Sequence, residues 1–529
     1  MTVARTPATA RVAAEDTLQR LAELLAAELG PVPADALVRF VVPAAGLDPR
    51  AVLRVTARES YLWESPRGEA LGGLGCATLL QGSGEGRLGQ VRDAATRASA
   101  RLVAFSDPEV VAPPALFLGG AAFRREGATR ARWAGFGDAS FVLPRWLVRR
   151  APSGLATLEL TVAPPELEPA ARDRLLAEAA LLLDAEPATR PGSARSGATP
   201  IEASWEEGEA TCGRWNAAIA HLLDAIRRGE IRKAVAARWL DVRLPRSTAP
   251  CGAADQPAFG VVERVIEGFE QACDECVRFV VQRGGCAFVG ATPELLVRLR
   301  GRELETHALA GTERNDASPD AGSHPCCAAG GPAARRLLER DKDRREHQLV
   351  VEHLVERLAP YCAELTAAET PRVRVLRHLL HLETPIPARL AEDRHILDMA
   401  AALHPTPAVA GVPVVRSLEL LAEVEAGERG WYAGPVGWFD QRGDGALSVA
   451  LRSMLIGRRS ARLYAGAGIV ADSEAAAELE ETRWKLAGAW AALSAAVGGA
   501  LAIEEPAAEA VVVSGEPEAD AADAEPPAD

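Results

Sequence analysis

The chain has 529 residues, 48% hydrophobic and 25% charged, a composition that fits a folded protein and excludes collagen, coiled coil and wholesale disorder. No apolar run approaches the roughly 20 residues that span a bilayer, and residues 1–20 mix Arg and Glu with no apolar stretch, so neither a membrane anchor nor a secretory signal is expected. The net charge is −14, but 503–529 alone carries nine acids and no Lys or Arg, which leaves 64 acids facing 59 bases; that near-balance speaks against nucleic-acid binding and against a basic membrane patch.

Taken in chain order, apolar spacing predicts a helix over 14–29, a strand over 36–42, a helix over 88–103 and an apolar stretch over 115–123 broken at Gly119-Gly120. Strands at 141–148 and 155–162 flank the hairpin signal Pro152-Ser153-Gly154, and 169–183 is helical. The Pro/Gly/Ser/Thr-rich stretch 185–203 reads as a connector. Beyond it come a helix over 208–228, with Trp215, Ile219, Leu222 and Ile226 on one face, a strand over 231–242 and a helix over 255–273. Strands follow at 277–282, 287–289, 295–300 and 303–310, then a loop over 315–332 and a long helix over 333–358. Strands at 372–377 and 379–383 and helices at 396–403 and 415–425 lead to a meander of 431–439, 446–456 and 461–465 and a last helix, 473–493. Meanders with separate helices predict an α+β fold rather than a doubly wound parallel sheet. The Pro-, Ala- and acid-rich end is expected to be a disordered, solubilising tail, so the chain divides into 1–203, 204–497 and 498–529.

The nine cysteines are unevenly spaced and set out no disulfide framework, which fits a reducing, cytoplasmic setting. Cys273-Asp-Glu-Cys276 reads as helix-end thiols rather than a metal or redox pair, and Cys326-Cys327 as loop thiols. The basic residues are lopsided: 56 are Arg and three are Lys, at 233, 342 and 485. Lysine is a compact charge that can give up its proton when buried, and arginine cannot. Lys233, Lys342 and Lys485 are therefore candidates for positions where the two do not interchange.

Four constellations could carry chemistry. Lys342, Glu346 and Val350 share a helix face with Asp343 beside them, and Glu478, Glu481 and Lys485 share another. Each alone reads as a solvated, salt-bridged surface; converging on one cleft, the two faces would offer hard oxygen ligands for Mg²⁺. Gly466-Ala467-Gly468-Ile469 lies just before the last helix, where free backbone N–H groups can receive an anion, with Asp472 or Ser473 as cap. Gly290-Ala291-Thr292-Pro293-Glu294 sets a carboxylate after a Pro-fixed turn, and His404-Pro405-Thr406-Pro407-Ala408 makes a stiff loop suited to shaping a pocket. No GxxxxGK[ST] occurs, so a nucleotide P-loop is not supported.

These segments together resemble the chorismate-binding enzymes: isochorismate synthase, salicylate synthase and the large subunits of anthranilate and aminodeoxychorismate synthase. The resemblance covers about 205–495 and rests on Arg232-Lys233-Ala234-Val235, Gly290-Ala291-Thr292-Pro293-Glu294, His307-Ala308-Leu309-Ala310-Gly311-Thr312 and Lys342-Asp343-Arg344-Arg345-Glu346-His347. It continues through Leu403-His404-Pro405-Thr406-Pro407-Ala408-Val409, Gly430-Trp431-Tyr432-Ala433-Gly434-Pro435, Ala450-Leu451-Arg452-Ser453, Gly466-Ala467-Gly468 and 478–485. It implies a large two-layer α/β sandwich with antiparallel sheets flanked by helices, and Mg²⁺ on Glu346 and Glu481.

Within the resemblance Lys233 is the discriminating position. Members that add water to chorismate carry Lys there, and ammonia-using anthranilate synthases typically carry Gln. Water needs a base, and a buried Lys serves if burial or nearby positive charge keeps it neutral. The implied isomerase has Lys233 as base and Glu294 as general acid. Tyr432, Arg452, Lys485 and the Gly466 and Gly468 amides hold carboxylates, Thr312 and His404 line the ring site, and Ala408 favours release of isochorismate. Salicylate synthase is the nearest alternative; the ammonia-using synthases need a glutaminase that Lys233 argues against, and a non-catalytic binding module is the remotest. The implied partner is chorismate alone, with no nucleic acid, membrane or obligatory glutaminase, for a monomer feeding menaquinone or siderophore biosynthesis.

Overall fold

The computed structural model describes residues 7–504 apart from 56–58, 125–131, 186–204, 206, 246–259, 274, 316–330, 426 and 499–500. The described strands build two sheets. The first, of thirteen strands, runs Gly411–Val412, Lys233–Arg243, Ser460–Ile469, Ser453–Ile456, Cys286–Thr292, Val277–Arg283, Ser60–Glu64, Ala70–Leu74, Trp146–Arg150, Ala156–Val162, Leu37–Pro43, Leu102–Ser106. Its thirteenth strand, Ala502–Ile503, pairs with the far end of Lys233–Arg243. The second, of ten, runs Cys362–Leu365, Leu379–Leu390, Glu303–Arg314, Leu295–Arg300, Gly445–Val449, Pro435–Asp440, Leu116–Ala121, Ala139–Leu143, Thr78–Gly82, with Arg372–Val375 also on Leu379–Leu390. Among the described residues only Leu37–Pro43 and Leu102–Ser106 pair in parallel.

Both faces of the first sheet are covered, and its residues alternate between two cores, as the two-residue period of a strand requires. Tyr61, Trp63, Phe279, Val281, Phe288 and Tyr464 share a core with the second sheet. Their neighbours Leu62, Val280, Val289 and Leu463 instead meet helices Pro7–Ala26, Pro169–Leu183, Val261–Ala272 and Ala475–Val497. Helices Arg87–Ser99, Asp341–Leu358 and Ile396–Leu403 cover the second sheet. The expected α+β sandwich of antiparallel sheets flanked by helices is what forms, and residues before and after the connector interleave in both sheets: Ser60–Glu64 pairs with Val277–Arg283, and Leu116–Ala121 with Pro435–Asp440.

Several differences from the sequence reading have local causes. The stretch 141–148 is split by Pro144, which has no ladder donor, so Ala139–Leu143 and Trp146–Arg150 lie in different sheets. The 333–358 helix is two, Pro332–Glu339 and Asp341–Leu358, separated by Arg340 in extended conformation (φ −72°, ψ 113°). Cys273 caps its helix as expected, but is joined to Cys276 in a disulfide. Within the segment expected to be a tail, Ala502–Ile503 forms a strand; 499–500 and 505–529, most of the connector and Cys326-Cys327 fall outside the described residues. No described helix is long and apolar enough to cross a membrane.

Candidate active site

The cavity forms where the chain changes sheets. Pro293 and Glu294 carry it from Cys286–Thr292 in the first sheet to Leu295–Arg300 in the second, and Ala450, Leu451 and Arg452 carry it back from Gly445–Val449 to Ser453–Ile456. The crossings lie side by side. Val449 N donates to Glu294 O (3.0 Å), Thr292 Oγ1 donates to Val449 O (2.6 Å), and Ala291 N donates to Arg452 O (3.3 Å). Arg452 has φ +47°, a left-handed conformation that is costly without glycine and recurs at functional sites. A bulge at Gly311 (φ +73°) interrupts the ladder between Glu303–Arg314 and Leu379–Leu390 and turns Thr312 toward the same space.

Ten of the twelve residues expected in the site line one cavity: Glu294, Thr312, Glu346, Ala408, Tyr432, Arg452, Gly466, Gly468, Glu481 and Lys485. Lys233 stands immediately behind it. Its side chain is fully buried, and its Nζ lies 2.9 Å from Glu346 Oε1 without a well-aligned hydrogen bond. The expected burial is present; the neighbour is a carboxylate rather than a cation.

His404 is the exception. It lines a separate cleft, where Nε2 lies 3.3 Å from the Phe123 carbonyl and the ring meets Phe123 edge-on. Burial, with Arg87 nearby, pushes its pKa down to about 3, so it is a neutral structural residue and not part of the ring site.

The two acidic helix faces do converge. Lys342 pairs with Glu478 across the helices, Lys485 Nζ pairs with Glu481 at 2.7 Å, and Lys233 pairs with Glu346, so all three lysines of the chain meet this cluster. Burial works to raise Glu346, but Lys233, Lys342 and Lys485 hold it below the usual carboxylate range. Asp343 is pushed up to about 6 by burial and by Glu346, and Glu478 is raised by burial and by Glu481. Arg340 pairs with Asp343 at 3.0 Å, so each of the four carboxylates has a cation beside it; the donors are hard oxygens, the set Mg²⁺ prefers. Gly468 leaves the space: a Cβ there would collide with Glu346 Oε1. Among the described residues no three His, Cys, Asp or Glu side chains are grouped so that they could hold a metal ion by themselves.

The glycines act from a place other than the expected one. Gly466 and Gly468 lie inside the strand Ser460–Ile469, opposite Ala237 and Val235, not in a loop before the last helix, which starts at Ala475. Val235 N bonds Ala410 O and Ala237 N bonds Glu425 Oε1, so both point away from the glycine strand. These are therefore non-hydrogen-bonded pairs, and Gly466 and Gly468 turn their amides to the opposite side. Lys485 Nζ donates to Gly466 O (2.9 Å) on that side. Ser473 Oγ accepts from Val470 N, and Glu474 rather than Asp472 or Ser473 is the N-cap.

Glu294 is 5% exposed, and burial pushes its carboxyl up to about 8 against the pull of Lys233 and Lys485, so it carries a proton at neutral pH. Arg452 is pushed down to about 10 by burial with Arg374 nearby, and has no carboxylate partner among the described residues. Its Nη2 donates to His381 Nε2 (2.7 Å), while His381 Nδ1 lies 3.0 Å from Gly311 O. Burial, Arg452 and Lys485 hold that imidazole well below its usual pKa, so it is neutral, with its proton on Nδ1. His381 and Arg429, both lining the cavity, went unrecognised in the sequence. His381 is hidden in the apolar strand run Leu379-Leu380-His381-Leu382, and Arg429 is one of 56 arginines.

A family model described as chorismate binding enzyme matches residues 26–494. A salicylate biosynthesis isochorismate synthase of Pseudomonas aeruginosa is 36% identical over 440 residues, 83% of this chain and 85% of its own. The isochorismate synthase MenF of Bacillus subtilis is 36% identical over 208 residues, 39% of this chain and 42% of the relative. Among solved structures, the menaquinone-specific isochorismate synthase of Escherichia coli superposes with a TM-score of 0.69 at 26% identity, covering 91% of this chain and 100% of that one. Anthranilate synthase component I of Streptococcus pneumoniae shares the fold (TM-score 0.58, 18% identity, 82% of this chain and 93% of that one).

Proposed function

This chain belongs to the chorismate-binding enzymes, and within that family we propose that it is an isochorismate synthase, an isomerase that adds water to C2 of chorismate and expels the C4 hydroxyl. The observation that carries the reading is a buried lysine and a protonated glutamic acid at one cavity that also holds an arginine with no carboxylate of its own among the described residues. Water addition needs a base at the attacking oxygen and an acid at the departing one. An unpaired buried cation calls for an anionic ligand, and guanidinium suits a carboxylate.

In the proposed step Lys233 Nζ takes a proton from water as its oxygen attacks C2. The ring double bonds shift, the C4–O bond breaks, and Glu294 gives its proton to the departing hydroxyl, which leaves as water. Arg452, Tyr432, Lys485 and the Gly466 and Gly468 amides hold the carboxylate of the enolpyruvyl arm. Thr312 and Ala408 line the ring. Glu346 and Glu481 are the residues that would hold Mg²⁺, which when bound supplies positive charge for the ring carboxylate. Because Lys233 prepares water, no glutaminase subunit is required. The product would feed menaquinone or siderophore synthesis, the kinds of route named for its relatives.

The test is product analysis. Purified protein with chorismate and Mg²⁺ is expected to give isochorismate alone on chromatography. Salicylate with pyruvate, a glutamine- or ammonia-dependent product, or no conversion would overturn the reading.

A further inference from the structure

The strand that carries Lys233 loses its neighbour early. Gly411–Val412 pairs only with Lys233 and Ala234, so the outward backbone groups at Val235 and Ala237 need other partners. Ala410 O takes Val235 N, and an ion pair supplies Val235 O and Ala237 N. Arg429 Nη2 donates to Val235 O (2.6 Å), and Glu425 Oε1 accepts from Ala237 N (3.1 Å). Arg429 Nη1 also donates to Val409 O (2.8 Å), its Nε reaches both Glu425 oxygens at 3.1 Å, and its guanidinium lies 4.1 Å over the Phe123 ring. Both side chains of the pair are 2% exposed. Arg429 is also the wall between two spaces, lining the cavity with Glu294 and Glu346 on one side and the cleft with Phe123 and His404 on the other.

We propose that Arg429, oriented by Glu425, is a positioning residue for the water-adding step: it ties the Lys233 strand to the loop bearing Ala408 and to the turn that delivers Tyr432. The inference rests on the function proposed above. Val235, Ala408, Val409 and Tyr432 all line the cavity, and each belongs to a segment the pair touches or carries. A fork with two separate nitrogens is needed to span carbonyls on two segments; an ammonium is a point charge and reaches one. Placement errors of an ångström at a reacting group cost mainly rate; of the carboxylate-binding side chains Tyr432 lies on the tied turn, while Arg452 and Lys485 lie on other segments and keep most of the affinity.

Arg429→Ala is expected to lower kcat about a hundredfold while KM for chorismate stays within a factor of about three. Millimolar guanidinium, admitted through the outer cleft, is expected to restore part of kcat, and ammonium is not. Arg429→Lys is expected to fall nearly as far as Arg429→Ala, and it takes over these measurements if the alanine variant does not fold. A folded variant with kcat within about twofold of wild type, or a loss that ammonium repairs as well as guanidinium does, overturns the proposal. Amide exchange provides a readout independent of turnover. Protection at 235–237 and 408–410 is expected to drop in the variant with the Glu294 crossing unchanged, and equal protection overturns the tie. If wild-type protein makes no isochorismate, the function falls, and the exchange experiment still decides whether Arg429 holds these segments together.

Discussion

Glu294 connects chemistry and stability in a way that one substitution can separate. Its carboxyl is pushed from an ordinary 4.5 up to about 8, chiefly by burial. As the general acid it works only while protonated. The acid form therefore falls from about nine-tenths at pH 7 to about one-tenth at pH 9, and kcat/KM should fall about tenfold across that interval, since it reports the free enzyme. The same shift has a cost. Between pH 4.5 and 8 the folded chain keeps a proton that the unfolded chain has released, so stability declines as pH rises through that window and levels off above it. Each pKa unit is about 1.4 kcal/mol, which makes the full decline about 4–5 kcal/mol. Glu294→Gln keeps the shape, cannot ionise and has no acidic proton to give. It is expected to lose about 10²–10⁴ in kcat/KM and to be more resistant to denaturant than wild type at pH 8–9, with the difference vanishing near pH 5. Denaturant titrations and initial rates at matched pH measure both. Turnover in Glu294→Gln within a few-fold of wild type, or identical stability–pH slopes for the two proteins, would refute the reasoning.

Lys233→Ala is expected to abolish turnover while chorismate still binds, and to cost about 3–5 kcal/mol because Glu346 is left without its buried partner; rates, calorimetric binding and denaturant midpoints check the three parts. Arg452→Ala is expected to raise KM for chorismate by about 10–100-fold, the loss of a charge-assisted pair worth roughly 1.5–3 kcal/mol, and steady-state kinetics measure it. Chelation with EDTA is expected to silence the enzyme and Mg²⁺ to restore it; activity that survives thorough removal would contradict a metal role for Glu346 and Glu481. Gly468→Ala, whose Cβ would strike Glu346, is expected to weaken Mg²⁺ binding in direct calorimetric titration.

What the sequence makes legible follows from the range of the forces involved. Helix faces are local, so spacing groups Glu346 with Lys342 and Glu481 with Lys485, but it reads each face as a solvated surface and only the resemblance singles out the two glutamates; both line the cavity. The lysines stand out by composition, and each of the three is found on a glutamate of the cluster. Changes of sheet are not local. The run 446–456 is apolar apart from Ser448, Arg452 and Ser453 and holds no Pro or Gly, so it reads as one strand, yet Arg452 sits between sheets because Ser453–Ile456 pairs with Cys286–Thr292. Gly466 and Gly468 resemble a loop until strand Lys233–Arg243 pairs along them. His404 has the stiff surroundings of a pocket residue, but which pocket depends on Phe123, far away in sequence.

Having every lysine at one cluster makes this protein chemically addressable. Lys342 and Lys485 keep 24% and 21% of their side chains exposed, and Lys233 keeps none. An acylating reagent applied to the folded protein would find side-chain amines only at the acidic cluster, Lys485 on the cavity wall and Lys342 beside Glu478, and Lys233 would react only after the surrounding structure parts. The mass of a labelled lysine peptide would then distinguish an occupied cavity, an open one and an unfolded chain in a single measurement, with no other lysine to obscure it.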